Sequence, residues 1–79
     1  MKQIYADRYR QIGLKIAYYR KLRGLTQEEL AEQVSLSPAF VGHLEAPNID
    51  KALSLDTLFD IAAALDVPPQ KFLDFEEDL

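Results

Sequence analysis

A chain of 79 residues, 48% hydrophobic and 28% charged, has room for one domain and is too apolar for disorder. It has no cysteine, which excludes a disulfide framework, a Cys-ligated zinc site and a thiol nucleophile, and one histidine, His43, which argues against any metal centre. The net charge of −4 is split: residues 1–24 carry seven Lys/Arg and one acid (+6), residues 25–79 two bases and twelve acids (−10), so a molecule with one basic face is expected.

No stretch alternates apolar and polar residues as a half-buried strand does, and five helical segments are predicted. The first runs from about Tyr5 to Arg23. Tyr9, Ile12, Ile16 and Tyr19 recur at spacings of three and four and share its inner face. Leu14, Tyr18 and Leu22 form a second stripe, which either covers the C-terminal tail or meets another subunit. Lys21 and Arg23 suit the negative end of the helix dipole, and Gly24 is a stop signal. Gly13 and Gly42 fall inside helical patterns, at about 1 kcal/mol each relative to Ala.

The second helix opens at Thr26, where Glu29 completes a Thr-x-x-Glu capping box, and turns Leu30, Ala31 and Val34 inward. The third opens at Ser37 with Pro38 in the first helical position, and turns Val41 and Leu44 inward. Only Ser35 and Leu36 separate Val34 from Ser37, so the two short helices must cross steeply. Pro47 ends the third helix by excluding Ala46 from helical geometry, and residues 46–54, APNIDKALS, form a loop. The fourth helix spans about Leu55 to Leu65, capped by Ser54, with Leu55, Leu58, Ile61, Ala62 and Leu65 on the core side. The fifth is short, about Pro69 to Leu73 or Asp74, with Phe72 inward. The core is expected over about residues 9–73, with 74–79 a frayed tail.

Residues 27–45, QEELAEQVSLSPAFVGHLE, have the pattern of a helix-turn-helix unit, with small Ala31 where two crossing helices touch. The phrases LTQEELAEQV (25–34), SLSPAFVGHLE (35–45) and SLDTLFDIAAALDVPPQKFL (54–73) resemble the phage-repressor and Cro family, the XRE type, over about residues 12–73. The resemblance implies an all-α, compact five-helix lambda-repressor-like DNA-binding domain, residues 1–79, with the helix-turn-helix at helices 2 and 3. In such a unit the first helix crosses the DNA backbone and the second lies in the major groove.

Site residues follow by the same resemblance. Thr26 and Gln27 stand at the start of helix 2, where the backbone N–H and amide of Gln27 meet a phosphate. Ser37, Pro38, Ala39, Phe40, Gly42 and His43 approach bases and nearby phosphates: Ala39 and Phe40 suit a thymine methyl, and His43 a base edge or phosphate. Asn48 and Lys51 reach phosphate from the loop. Each has a plainer reading as well: Gln27 an exposed first-turn residue, Ala39 a helix former, Phe40 a partly buried core residue, His43 solvated. Arg20 and Glu45 match positions where the family commonly has an Arg late in helix 1 and a Glu ending helix 3. Such a pair locks helix 1 against the recognition helix and leaves the guanidinium near a phosphate; the alternative is a weak surface contact.

Three features depart from the family pattern. No Lys or Arg occurs between Gly24 and Lys51, so helix 3 has no bidentate guanine reader and little counterion release is available there. Ser35 stands where the family often has Gly, and a left-handed conformation there costs about 1 kcal/mol. The loop after helix 3 is longer than usual, with Lys51 its only base.

The expected function is a sequence-specific double-stranded DNA-binding transcriptional regulator, a repressor, acting as a homodimer that sets two recognition helices about 34 Å apart. The surfaces for pairing are the Leu14/Tyr18/Leu22 stripe and Phe59, Leu73 and Phe75, unless these shield one another within one chain. The alternative is a protein-interaction module of the same fold with weak or no DNA binding, which the −10 charge beyond residue 24 favours. An enzyme is not expected, since no nucleophile–base constellation or phosphate-cradling Gly loop appears. Nor is a cofactor, a metal, a small-molecule ligand or a fused sensor domain. No apolar run approaches the roughly 18 residues of a membrane span, and MKQIYADRYRQ lacks the apolar core of a secretory signal, so a cytoplasmic location is expected.

Overall fold

Side-chain caps fix where three of the helices begin. The Thr26 hydroxyl accepts from the Glu29 N–H at 3.0 Å while the Glu29 carboxylate accepts from the Thr26 N–H at 2.9 Å, closing the capping box. Ser37 Oγ accepts from the Phe40 N–H and Ser54 Oγ from the Thr57 N–H, at 3.0 and 3.1 Å. In the computed structural model of the chain, which describes residues 2–47 and 51–75, these caps open α2 (Gln27–Gln33), α3 (Pro38–Glu45) and α4 (Leu55–Leu65). Ahead of them lies α1 (Ala6–Leu22), preceded by a 3-10 turn at Gln3–Tyr5, and after α4 comes a 3-10 helix at Pro69–Phe72. The described residues include no strand.

Three of the four α-helices end on a left-handed residue: Gly24 (φ 74°), Ser35 (φ 57°) and Asp66 (φ 56°). After α1 the Gly24 and Leu25 N–H groups donate back to the Lys21 and Arg20 carbonyls, and after α4 those of Asp66 and Val67 donate to Ala63 and Ala62. After α2 the Leu36 N–H donates to the Ala31 carbonyl. This reversal satisfies carbonyls that the helix leaves unpaired. Glycine reaches it freely; Ser35 and Asp66 do so at a cost of about 1 kcal/mol each. α3 ends differently: with Pro47 next in the chain, Ala46 is extended at φ −70°, ψ 125°.

Every helical layer contributes to one core. Ile16 from α1, Leu30 from α2, Val41 from α3, Ile61 and Leu65 from α4, and Phe72 from the 3-10 helix are all fully buried. Tyr19 meets Phe72 edge-on, with ring centroids 5.5 Å apart, and so docks the C-terminal segment against α1. Two expectations need correction. The fifth helix is a 3-10 helix of four residues. So short a piece gains few internal hydrogen bonds, and it is held by the burial of Phe72 rather than by helix formation. Leu55 is not a core residue; it is 62% exposed. It occupies the first position of α4, beyond the edge of the core, where Leu53 of the preceding loop packs instead.

Gly13 has a structural reason to be small. A Cβ there would overlap the Leu44 carbonyl oxygen, so α1 and α3 touch backbone to backbone. Gly13→Ala, favourable by about 1 kcal/mol in an isolated helix, is therefore expected to destabilise this fold by about 1–3 kcal/mol in urea unfolding. Ser35→Gly should act in the opposite sense, adding about 0.5–1 kcal/mol by removing the left-handed cost, read as a raised urea midpoint at unchanged slope.

Candidate nucleic-acid interface

α3 is two-faced. Val41, Leu44 and Glu45 are buried; Ser37, Pro38, Ala39 and His43 are exposed, and Gly42 is half-exposed. Phe40 is half-buried. Part of its ring packs on the core, and the Lys51 ammonium lies 5.4 Å from the ring centroid. Phe40 is thus a partly buried residue at the edge of the core, and it also draws Lys51 from the following loop toward the start of α3, by a contact of about 0.5–1 kcal/mol. Asn48, assigned to the same surface, lies outside the described residues.

Behind α3 stands a buried ion pair. Arg20 and Glu45 are only 8% and 7% exposed. Arg20 Nε donates to Glu45 Oε2 at 2.7 Å and Nη2 to Oε1 at 2.8 Å, a two-pronged fork, while Nη1 donates to the Leu25 carbonyl at 2.7 Å. Glu45 Oε1 also accepts from Gln27 Nε2 at 3.0 Å. The hydrogen bond to Glu45 raises the Arg20 pKa; burial opposes it and the charge of Glu45 adds to it, so the guanidinium stays ionised. Three of the five guanidinium N–H groups are thus engaged within the protein, and Arg20 braces α3 from behind.

Gln27 is half-buried by this contact, and its Oε1 lies over Gly42, at ordinary contact distance from where a methyl group would stand. The start of α2 and the outward side of α3 therefore form one continuous surface. Thr26 sits at its rim, exposed, with its hydroxyl engaged in the cap.

Part of the N-terminal charge is spent within the fold. Arg10 pairs with Asp7, and Arg20 is buried against Glu45. Arg23 Nε and Nη2 donate to the Leu65 and Asp66 carbonyls at 2.7 and 3.1 Å, so that it caps α4. The Arg8 guanidinium lies 4.7 Å from the Phe75 ring centroid. Of the seven N-terminal bases, Arg20 and Arg23 thus tie separate helices together, while Lys2, Arg8 and Lys21 remain exposed. Sequence reasoning placed Arg23 at the end of its own helix and missed its role in capping a helix some forty residues on. It also missed the Gln27–Glu45 and Lys51–Phe40 contacts, because no local pattern encodes them. Among the described residues no group of three or more His, Cys, Asp or Glu could hold a metal ion, and no helix is long and apolar enough to cross a membrane.

Glu45→Ala is expected to cost about 3–5 kcal/mol, since it strands a buried guanidinium. A double-mutant cycle of Arg20→Ala with Glu45→Ala, followed by urea unfolding, should give a coupling well above the roughly 0–1 kcal/mol of an exposed pair.

Residues 16–72 match the family described as Helix-turn-helix. Three solved structures are similar over most of the chain. The crystal structure of SinR, the master regulator for biofilm formation, in complex with DNA aligns with a TM-score of 0.73 at 33% identity, covering 80% of this chain and 98% of that one. In the SinR/SinI protein complex the match has a TM-score of 0.76 at 33% identity, over 86% of this chain and 66% of that one. The restriction-modification controller protein C.AhdI from Aeromonas hydrophila aligns with a TM-score of 0.75 at 32% identity, over 86% of this chain and 98% of that one. No curated protein matches the chain significantly.

Proposed function

Because the chain belongs to the XRE-type helix-turn-helix family, we propose that it is a sequence-specific double-stranded DNA-binding regulator of transcription, a repressor that works as a homodimer in the cytoplasm. The observation that carries this reading is the outward face of α3. Its first turn, Ser37, Pro38 and Ala39, is exposed, and the helix is braced from behind by Arg20 and Glu45. A helix so presented and so fixed suits entry into a major groove. Two neighbours support it by their descriptions: SinR was crystallised with DNA, and C.AhdI is a controller protein.

In this reading Thr26 and Gln27 position the duplex through a phosphate, and Ser37, Pro38, Ala39, Gly42 and His43 line the groove. Ala39 suits a thymine methyl, and His43 a base edge or phosphate. Phe40 also suits a thymine methyl, and it holds Lys51, which with Asn48 meets the backbone after α3. With no Lys or Arg from Leu25 to Asp50, one copy has little electrostatic affinity, and two copies are needed to double it. A second reading, a protein-interaction module of the same fold, is favoured by exposed Glu28, Glu29 and Glu32 on α2 and by the SinR/SinI complex among the neighbours.

Selection of bound fragments from a random duplex pool tests the two readings. The DNA reading expects a recurrent paired site, weaker binding for Gln27→Ala and a changed base preference for His43→Ala. Lys51→Ala should weaken all sites alike and flatten the salt slope by about 1. No retained fragment at low salt would favour the protein-interaction module instead.

A further inference from the structure

α1 and α4 both begin at one cavity. Tyr5, the N-cap of α1, and Ser54, the N-cap of α4, border a space of about 290 Å³ whose walls include Ile12 of α1, Leu58 of α4, and Leu73 and Phe75 after the 3-10 helix. The two ends of the chain meet there, so no local sequence pattern announces it. Tyr5, Leu55 and Leu73 line it while 47, 62 and 44% exposed. Large apolar side chains left open around one concavity are the surface that a bound apolar body would cover.

The lining holds one charged residue, Arg8, and no acid. The Arg8 guanidinium lies 4.7 Å from the centroid of the Phe75 ring, which keeps it at the wall, and no carboxylate among the described residues pairs with it. Asp7 is engaged with Arg10, and Asp56 in the first turn of α4 is exposed and outside the lining. The starts of α1 and α4 add the positive ends of two helix dipoles. We propose that this cavity binds a small apolar monocarboxylate, its hydrocarbon body against Ile12, Leu58 and Leu73 and its carboxylate on Arg8. A cation would be repelled there, and a neutral ligand would leave the guanidinium unanswered. The volume is at the small end for ligand sites, which suits one ring or a short chain. The site stands whether or not α3 reads DNA.

The test is a titration of the full chain with cinnamate, followed by two-dimensional amide NMR. Saturable shifts are expected at the amides of residues 53–58 and 73–75, with a Kd between about 10 μM and 1 mM. Cinnamamide, the same body without the charge, should bind at least about fivefold more weakly. Arg8→Gln should weaken cinnamate by about the same factor and leave cinnamamide within about twofold. Arg8→Lys should bind cinnamate within about threefold of the unaltered chain, which separates lost charge from lost packing on Phe75. Octanoate distinguishes a chain from a ring as the apolar body, and saturable binding of either at these amides supports the site. Shifts that do not saturate by about 10 mM with both, or that cluster elsewhere, would overturn it. Equal binding of cinnamate and cinnamamide, or a loss that Arg8→Lys does not recover, would overturn the contact with Arg8. Two other occupants show in the same spectra. Shifts of the lining amides on raising the protein concentration alone would give this face to a second copy. Cinnamate binding at least about tenfold tighter in a Glu76→Gln/Glu77→Gln/Asp78→Asn chain would give it to the chain's own acids. Either result would overturn the proposal.

Discussion

The presented surface depends on one buried carboxylate. Glu45 is the last residue of α3, where the helix dipole disfavours negative charge, and it is almost wholly removed from water. Both penalties are offset by the Arg20 fork and the Gln27 amide. The result ties the end of α1, the start of α2 and the end of α3 to one point, while the Leu25 carbonyl fixes the guanidinium from the intervening turn. An apolar cluster of the same volume would hold the helices together but would allow small slides and rotations. A two-pronged hydrogen-bonded pair restricts direction as well as distance. For a helix presented at the surface, that angular restriction fixes which side chains point outward.

Gly13 belongs to the same constraint. It lies seven residues before Arg20 on α1, about two turns away and on the same side of the helix. Long side chains on a helix lean toward its N-terminus, so the head of Arg20 reaches back along α1. Gly13 lets the backbone of α3 approach closely at Leu44, next to the residue that Arg20 grips. A bulkier residue there would push α3 outward and lengthen the fork. The glycine that looks like a helix weakness in the sequence is what allows the ion pair its short distances.

What was legible in the sequence was what is local. Thr26 with Glu29, Ser37 with Pro38, and Ser54 act within one turn of their own helix, and Pro47 acts on its neighbour Ala46. The inner faces of α1, α2 and α3 follow from spacing alone. Leu55 fits the spacing but not the core, because periodicity fixes the side of a helix and says nothing of how far the core extends along it. The fifth segment had the composition of a helix end but only four residues of helical path, and its state was decided by Phe72 finding Tyr19. The most distant misreading was electrostatic. Composition places seven bases in the first 24 residues, yet it cannot tell a cation that faces solvent from one that caps another helix or pairs inside the fold.

That misreading bears on how the surface would work. With Arg20 and Arg23 committed to the fold and no Lys or Arg from Leu25 to Asp50, little long-range attraction reaches the start of α3. Lys51 is held there through Phe40, a residue that also packs on the core, so its position depends on the packing beneath it. Weak steering shifts the demand for affinity onto close fit, and close fit requires a rigid α3. It also raises the value of a second copy, since two modest surfaces held at a fixed spacing gain through effective concentration what each lacks in charge. The ion pair serves that end, because two copies gain by it only if each weakly charged surface is held in a defined geometry.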